Sequence, residues 1–409
     1  MAQLLFYLII AFIVFEFLIE KIVNYLNNKT WEKPLDKEIS DFYTASEFER
    51  AKNYADDNYR FSLITSSFSI LTTLIFFAIG GFAFVDDFLL IYFQNEIERG
   101  LLFFAILSFA SMLINLPFEW YGTFVLEEKY GFNKMTPKLF FTDKLKGLLL
   151  GAIIGGGLYA LLNWLYLLLG DKFWLAAWFA ISGFTLFMAA FYTSFLLPIF
   201  NKLTPLESGS LLDKIKEYAA KVEFPLVNIM VMDGSKRSSK ANAFFSGIGA
   251  KKSIVLFDTL INDLSEEEIV AVLAHEVGHY QKKHVLQSML ISVLNIGFLF
   301  FVFNFFAQSA VLKDVLGVSV SSFHIALLTF LLIYAPLSLV LGIAMNYFSR
   351  KNEYEADSYA KNTYSAAPLV SALKKMSVKH LSNLQPHALY IFLNYSHPTL
   401  LQRIKAMEK

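Results

Sequence analysis

The sequence predicts a mainly α-helical, polytopic membrane protein with seven transmembrane helices. Two observations carry that prediction. The first is composition: 56% of the 409 residues are hydrophobic and only 17% are charged, against about 25% charged in soluble domains. The second is distribution, because the apolar residues collect into runs of roughly the 20 residues that a helix needs to cross a bilayer core. Lys+Arg and Asp+Glu balance at 35 each, so no bulk charge points to a nucleic-acid partner. Cysteine is absent, which excludes disulfides, thiolate metal sites, iron–sulfur clusters and thiol nucleophiles.

In chain order, the expected spans are Leu4–Tyr25, Phe61–Val85, Leu101–Tyr121, Leu148–Leu169, Phe173–Phe200, Val285–Ala307 and Phe323–Met345. The first is read as an uncleaved anchor, since no basic residue precedes it and it runs on into Glu16, Glu20 and Lys21. Seven spans put the segments 21–60, 122–147, 201–284 and the tail after Met345 on one face. All but three (Arg99, Lys172 and Lys313) of the 35 lysines and arginines fall there. The basic excess marks that face as cytoplasmic, with the N-terminus outside. Glu16, Asn115, Glu119, Asn163, Asn295 and Asn304 lie within the spans; they either bond between helices or line a wet interior.

Between the spans, residues 30–60 read as a solvated helical hairpin. The stretch 201–284 reads as a helix over Leu211–Val222, then strands at Asn228–Met232, Ala241–Ser246 and Ser253–Phe257, separated by glycines including Gly234, Gly247 and Gly249. Ser265 and Glu268 fit a capping box that opens the next helix, and the acids around them suit its N-terminal dipole. That helix is expected to run through His284 and continue into the sixth span.

On it lies His275-Glu276-Val277-Gly278-His279. Histidines at i and i+4 sit about 40° apart on the helical wheel, so both imidazoles can reach one ion. Glu276 is offset by about 100°, where it can reach a water on the ion's open side without ligating. This is the HExxH arrangement of metal-assisted hydrolysis.

Catalytic zinc takes three protein ligands and leaves a fourth position for water, so a third ligand is needed from another element. Glu353 and Asp357 share a helical face, whereas Glu355 points roughly opposite. Glu353 is the expected ligand, with Asp357 orienting a ligating histidine through its ring N–H. Two spans separate His279 from Glu353, which returns both to the same side of the membrane. Of the other histidines, His284 lies across the wheel and reads as structural, and His324 begins the seventh span on the far face. His380 and His387 have no supporting pattern, and His397, before a short helix carrying Arg403, reads equally as loop or support.

These residues, in this order on seven spans, resemble the integral-membrane zinc CAAX prenyl proteases, the type I CAAX endopeptidase family. The resemblance extends to Leu116-Pro117-Phe118, to Thr123 through Lys134, to Ser235-Lys236-Arg237-Ser238, to Asn242 through Gly247, to Ser349-Arg350 with Ala356-Asp357, and to Ser396-His397-Pro398. It implies a hollow barrel of seven helices around a water-filled chamber, capped by a small α+β, gluzincin-like zinc domain. His275, His279 and Glu353 would bind one Zn2+, and Glu276 would be the catalytic base. Asn242, Ala243, Phe244 and Phe245 would form the edge strand that pairs with substrate. His397 would help stabilise the oxyanion, and Arg403 would lie near the substrate's C-terminal end.

The expected activity is therefore removal of the C-terminal tripeptide of a prenylated CAAX-type protein or peptide, with membrane lipids as the other partners. Membrane-protein quality control, as in shorter heat-shock relatives, is the alternative; a transporter or inactive scaffold is the remote one. Expected units are 1–200 (spans one to five with their loops), 201–284 (the HExxH segment), 285–345 (spans six and seven) and 346–409 (the tail completing the zinc site). The final residues Lys405–Lys409 lack a dilysine retrieval pattern, which favours a bacterial cytoplasmic membrane over the endoplasmic reticulum.

Overall fold

The computed structural model describes residues 1–225, 228–246, 253–307, 309 and 311–408. Gly247 and Gly249, expected to break strands, lie outside them. Six apolar helical stretches are long enough to cross a membrane among the described residues. One of them, Pro137–Phe200, is 64 residues long, about three times a bilayer crossing. It turns at Gly170, whose φ of 50° suits a residue without a Cβ. The helices on either side, Gly156–Leu169 and Phe173–Phe195, pack on each other. The chain is thus a multi-pass membrane protein whose fourth and fifth expected spans form one helical hairpin.

The spanning helices bury little of themselves. Only 6–28% of the most apolar window of each stretch is inside the protein, and residues such as Leu71, Leu113, Phe179 and Leu290 are exposed. In water such a surface would drive association, whereas it suits helices long and apolar enough to cross a membrane. Of the polar groups within the spans, Asn163 is buried and bonds Tyr159 Oη at 3.0 Å. Asn115 and Asn295 stay exposed.

Several boundaries differ from expectation. Residues 30–60 form no helical hairpin: after short 3₁₀ turns, Thr44 and Glu47 make a capping box and one helix runs unbroken over Ala45–Ala78. The second span stops there, and Gly80 (φ 66°) redirects the chain into a separate helix, Gly81–Tyr92. The last span is the opposite case. No breaker follows Met345, so one helix of 41 residues, Phe323–Thr363, extends about 60 Å and carries the acidic segment out of the membrane.

A four-stranded sheet stands beside the helix Glu266–Gln281. Its order is β1 (Leu203–Pro205), β2 (Asn228–Met232), β4 (Ser253–Phe257), β3 (Ala243–Ser246). β2 and β4 are parallel and the other pairs antiparallel. Buried Ile254, Leu256, Ile269, Val270 and Leu273 form the common core. Among the described residues β3 is therefore an edge strand, paired only with β4.

Candidate active site

The HExxH helix is specified from both ends. Ser265 Oγ accepts from the Glu268 backbone N–H, and the Glu268 carboxylate accepts from Ser265 N–H. Buried Glu268 also accepts from Ser371 Oγ (2.6 Å) and Lys375 Nζ (2.9 Å) on the helix Ala366–Lys379. At the other end Lys282 caps the helix and Lys283 takes φ 60°. The helix thus ends at Gln281 rather than continuing into the sixth span, which starts afresh as His284–Ala307.

Close approach of this helix to the long seventh one brings the metal-ligating types together. His275 Nε2 and His279 Nε2 are 3.1 Å apart. Glu353 offers Oε2 at 3.4 Å from the first and Oε1 at 3.2 Å from the second. One ligand atom from each of the three residues lies within 4.8 Å of the others, near enough to share one ion at bond lengths of about 2.0–2.2 Å. Glu353 Oε2 is buried without a hydrogen-bond partner, a costly state that a cation would relieve. The donor set fits a tetrahedral divalent metal.

Each supporting group is seated by contacts of its own. His275 Nδ1 lies 2.9 Å from Asp357 Oδ1, the arrangement that fixes a ligand's tautomer. Arg403 is buried and donates to Asp357 through Nε (2.8 Å) and Nη2 (2.6 Å). It also lines the cavity beside His275, His279 and Glu353, so the guanidinium serves the carboxylate as well as the site's wall. Arg350 Nη1 donates to Tyr395 O (2.5 Å) and Asn346 Nδ2 to Leu393 O (3.0 Å). These bonds hold the following loop against the seventh helix and set exposed His397 with Nε2 3.4 Å from Glu353 Oε1.

The cavity measures about 740 Å³ and is bounded by Asn242–Phe245 on one side and by Thr185 and Ser288 of the fifth and sixth spans on another. Glu276 lines it, and burial pushes its carboxyl up from the ordinary value, against the opposing pull of the His275 and His279 imidazoles.

β3 is anchored at its entrance. Ala241 N donates to His380 Nε2 (3.0 Å), a role for that histidine that no sequence pattern announces. Ahead of it, Ser239 N donates to Phe132 O and Lys134 N to Arg237 O, both at 3.1 Å. Arg237 reaches Asp143 (2.8 Å), Asn201 and Phe200 O (2.7 Å). The segments 123–134 and 235–238, far apart in sequence, are thus one joint between membrane helices and sheet.

His284 departs from the sequence reading. The break at Lys283 turns it back onto the site, with Nδ1 3.0 Å from His279 Nδ1 and Nε2 3.2 Å from Glu355 Oε2. His324 lies apart, buried with Asp86 (2.6 Å) and Arg99.

Helices that cross a membrane, an HExxH helix and a glutamate from a second helix define a membrane-embedded metallopeptidase. Residues 23–202 match the family model described as CAAX prenyl protease N-terminal, five membrane helices, and residues 205–409 that of peptidase family M48. CAAX prenyl protease 1 of Saccharomyces cerevisiae is 34% identical, covering 98% of this chain and 94% of the yeast protein. The Homo sapiens CAAX prenyl protease 1 homolog is 32% identical over 77% of this chain and 74% of its own. The crystal structure of S. mikatae Ste24p superposes with a TM-score of 0.92 at 33% identity, covering 98% of both chains. The chain belongs to the M48 peptidase family, in its CAAX prenyl protease branch.

Proposed function

We propose that this chain is a zinc endopeptidase that removes the C-terminal tripeptide from prenylated CAAX-type proteins or peptides. The observation that carries the reading is convergence: His275, His279, Glu353, Glu276 and a sheet edge that is unpaired among the described residues meet at one cavity, which Thr185 and Ser288 of the apolar helices also line. The relatives' names supply the substrate class.

His275, His279 and Glu353 hold the zinc, which when bound supplies a Lewis acid for water and the scissile carbonyl. An extended substrate pairs with Asn242, Ala243, Phe244 and Phe245, as strand addition to a free edge allows. Glu276 takes the proton of the attacking water and passes it to the leaving amine; its burial favours the proton-carrying form it needs midway. Asp357, held by Arg403, keeps the proton of His275 on Nδ1 and leaves Nε2 free to ligate. His397 donates toward the developing oxyanion, and Arg403 provides positive potential for the substrate's C-terminal carboxylate.

The catalytic unit is made of 201–284 and 346–409, carried by the membrane segments 1–200 and 285–345. The basic excess supports a cytoplasmic orientation for the catalytic unit and C-terminus, with the N-terminus outside. The test is incubation of purified protein with a farnesylated CAAX peptide, read by mass spectrometry beside Glu276→Gln. Release of the tripeptide by the native protein alone is expected. A zinc-loaded, folded preparation that leaves the peptide whole would contradict the CAAX assignment.

A further inference from the structure

We infer that His284, backed by Glu355, is a positioning residue that fixes the orientation and tautomer of His279; the inference rests on the metal-site reading above. In an unbroken helix residues 279 and 284 would point about 140° apart. The turn at Lys283 removes that constraint: Lys283 N–H donates to Tyr280 O (2.9 Å) with φ 60°, and a new helix begins at His284. The two rings then meet at 5.1 Å between centroids with a 72° interplanar angle. A non-glycine residue in left-handed backbone is uncommon, and here it accompanies the turn that brings the two rings together.

The proton bookkeeping has one consistent solution. His279 presents Nε2 to the other two ligands, so its proton resides on Nδ1. That N–H faces His284 Nδ1 at 3.0 Å, which accepts only if the proton of His284 is on Nε2. Glu355 Oε2, 3.2 Å from that Nε2, accepts it. With that assignment each imidazole carries one ring proton and the Glu355 carboxylate accepts the last one, so every contact has one donor and one acceptor. The two ligand histidines are thus supported differently, His275 by a carboxylate clamped by Arg403 and His279 by an imidazole with a carboxylate behind it. His284 is also the first residue of the sixth span, and Val285 and Ser288 line the cavity. The orientation of His279 is therefore tied to the position of that span.

The experiment measures zinc affinity and release on the full-length protein in detergent, by competition with a chromophoric chelator. It compares the native chain with His284→Phe, His284→Asn and Glu355→Gln. His284→Phe keeps a ring and removes the acceptor, and should weaken zinc by about 10–100-fold, the usual cost of losing such a partner. His284→Asn, whose amide oxygen stands near the place of Nδ1, should stay within a few-fold of native, as should Glu355→Gln. Thermal unfolding of the zinc-stripped proteins should be unchanged across the set. Native affinity in His284→Phe, or equal loss in the Asn and Phe variants, would overturn the inference. The metal-site reading has its own control: zinc binding undiminished in His275→Ala would overturn both.

Discussion

Gly278 lies directly against Ala356. A Cβ at position 278 would stand 3.0 Å from the Cα and the carbonyl oxygen of Ala356 and 3.1 Å from Tyr359 Cβ. The glycine inside the HExxH motif is therefore a packing device. It lets the helix carrying His275 and His279 come close enough to the helix carrying Glu353 for the 3.1–3.4 Å separations among their side chains to form.

Bulk at that contact should cost both stability and metal. Gly278→Val forces backbone apart where no flexible side chain can yield, an overpacking penalty of about 1–3 kcal/mol. The separation of Glu353 from the histidines grows with it. Zinc content per chain and the thermal midpoint should fall together; a variant with a full zinc complement would remove the packing role of Gly278.

The far side of the protein holds a buried polar knot unrelated to catalysis. Asp86, Arg99 and His324 are each at most 3% exposed, and Asp86 faces His324 at 2.6 Å and Arg99 at 3.5 Å. Glu96 adds a further tie by accepting from Phe323 N–H at 2.6 Å. Asp86→Leu strips Arg99 of its partner and should destabilise the protein by about 3–5 kcal/mol, seen as a lower thermal midpoint in detergent. Zinc content at low temperature should stay native, which separates this effect from a change in the metal site.

The joint at Arg237 should act on substrate binding rather than on metal. Arg237→Ala removes bonds to Asp143, Asn201 and Phe200 O that brace the approach to β3. Expected are faster amide exchange at Ala243–Phe245, a several-fold rise in KM and unchanged zinc. Unaltered exchange in those residues would show that β3 is held by its pairing with β4 and by His380 alone.

Acid should loosen the front of the HExxH helix. Burial raises the Glu268 carboxyl, but the hydrogen bonds of Lys375, Ser371 and the Ser265 backbone outweigh it and hold the group below its ordinary 4.5. A carboxyl depressed in the fold contributes stability that is present above its unfolded value and is lost as pH falls through the folded one. The thermal midpoint should thus decline below about pH 4.5 more steeply in the native chain than in Glu268→Gln. The variant should itself lose about 1–2 kcal/mol at neutral pH from the weakened cap. Parallel pH profiles would assign the acid sensitivity elsewhere.

Much of this was legible before any coordinates. Two strands, Asn228–Met232 and Ser253–Phe257, fall where the sequence reading places them, and the Ser265 capping box opens the HExxH helix as expected. Spacing within a helix is local information, so His275, His279 and Glu276 could be read from it, as could the pairing of Glu353 with Asp357. What was missed depends on contacts between distant segments. No residue type at Lys282-Lys283 signals a helix end, so the turn that brings His284 to His279 is set by packing. Arg403 and Asp357 are 46 residues apart and meet only in the fold. β1 is three residues long and contains Pro205, below what a pattern can resolve. Asp86 sat at the end of an apolar run and read as a boundary, whereas it is the centre of a buried ion cluster.

In the function proposed above, Glu276 performs proton transfer at a metal held by His275, His279 and Glu353. The most direct measurement is single-turnover cleavage of a farnesylated CAAX peptide by native protein and Glu276→Gln, with zinc quantified in both samples. Expected are equal zinc in the two and cleavage slowed by at least about 10²-fold in the variant, as loss of a general base entails. Comparable cleavage by a zinc-loaded Glu276→Gln protein would contradict it.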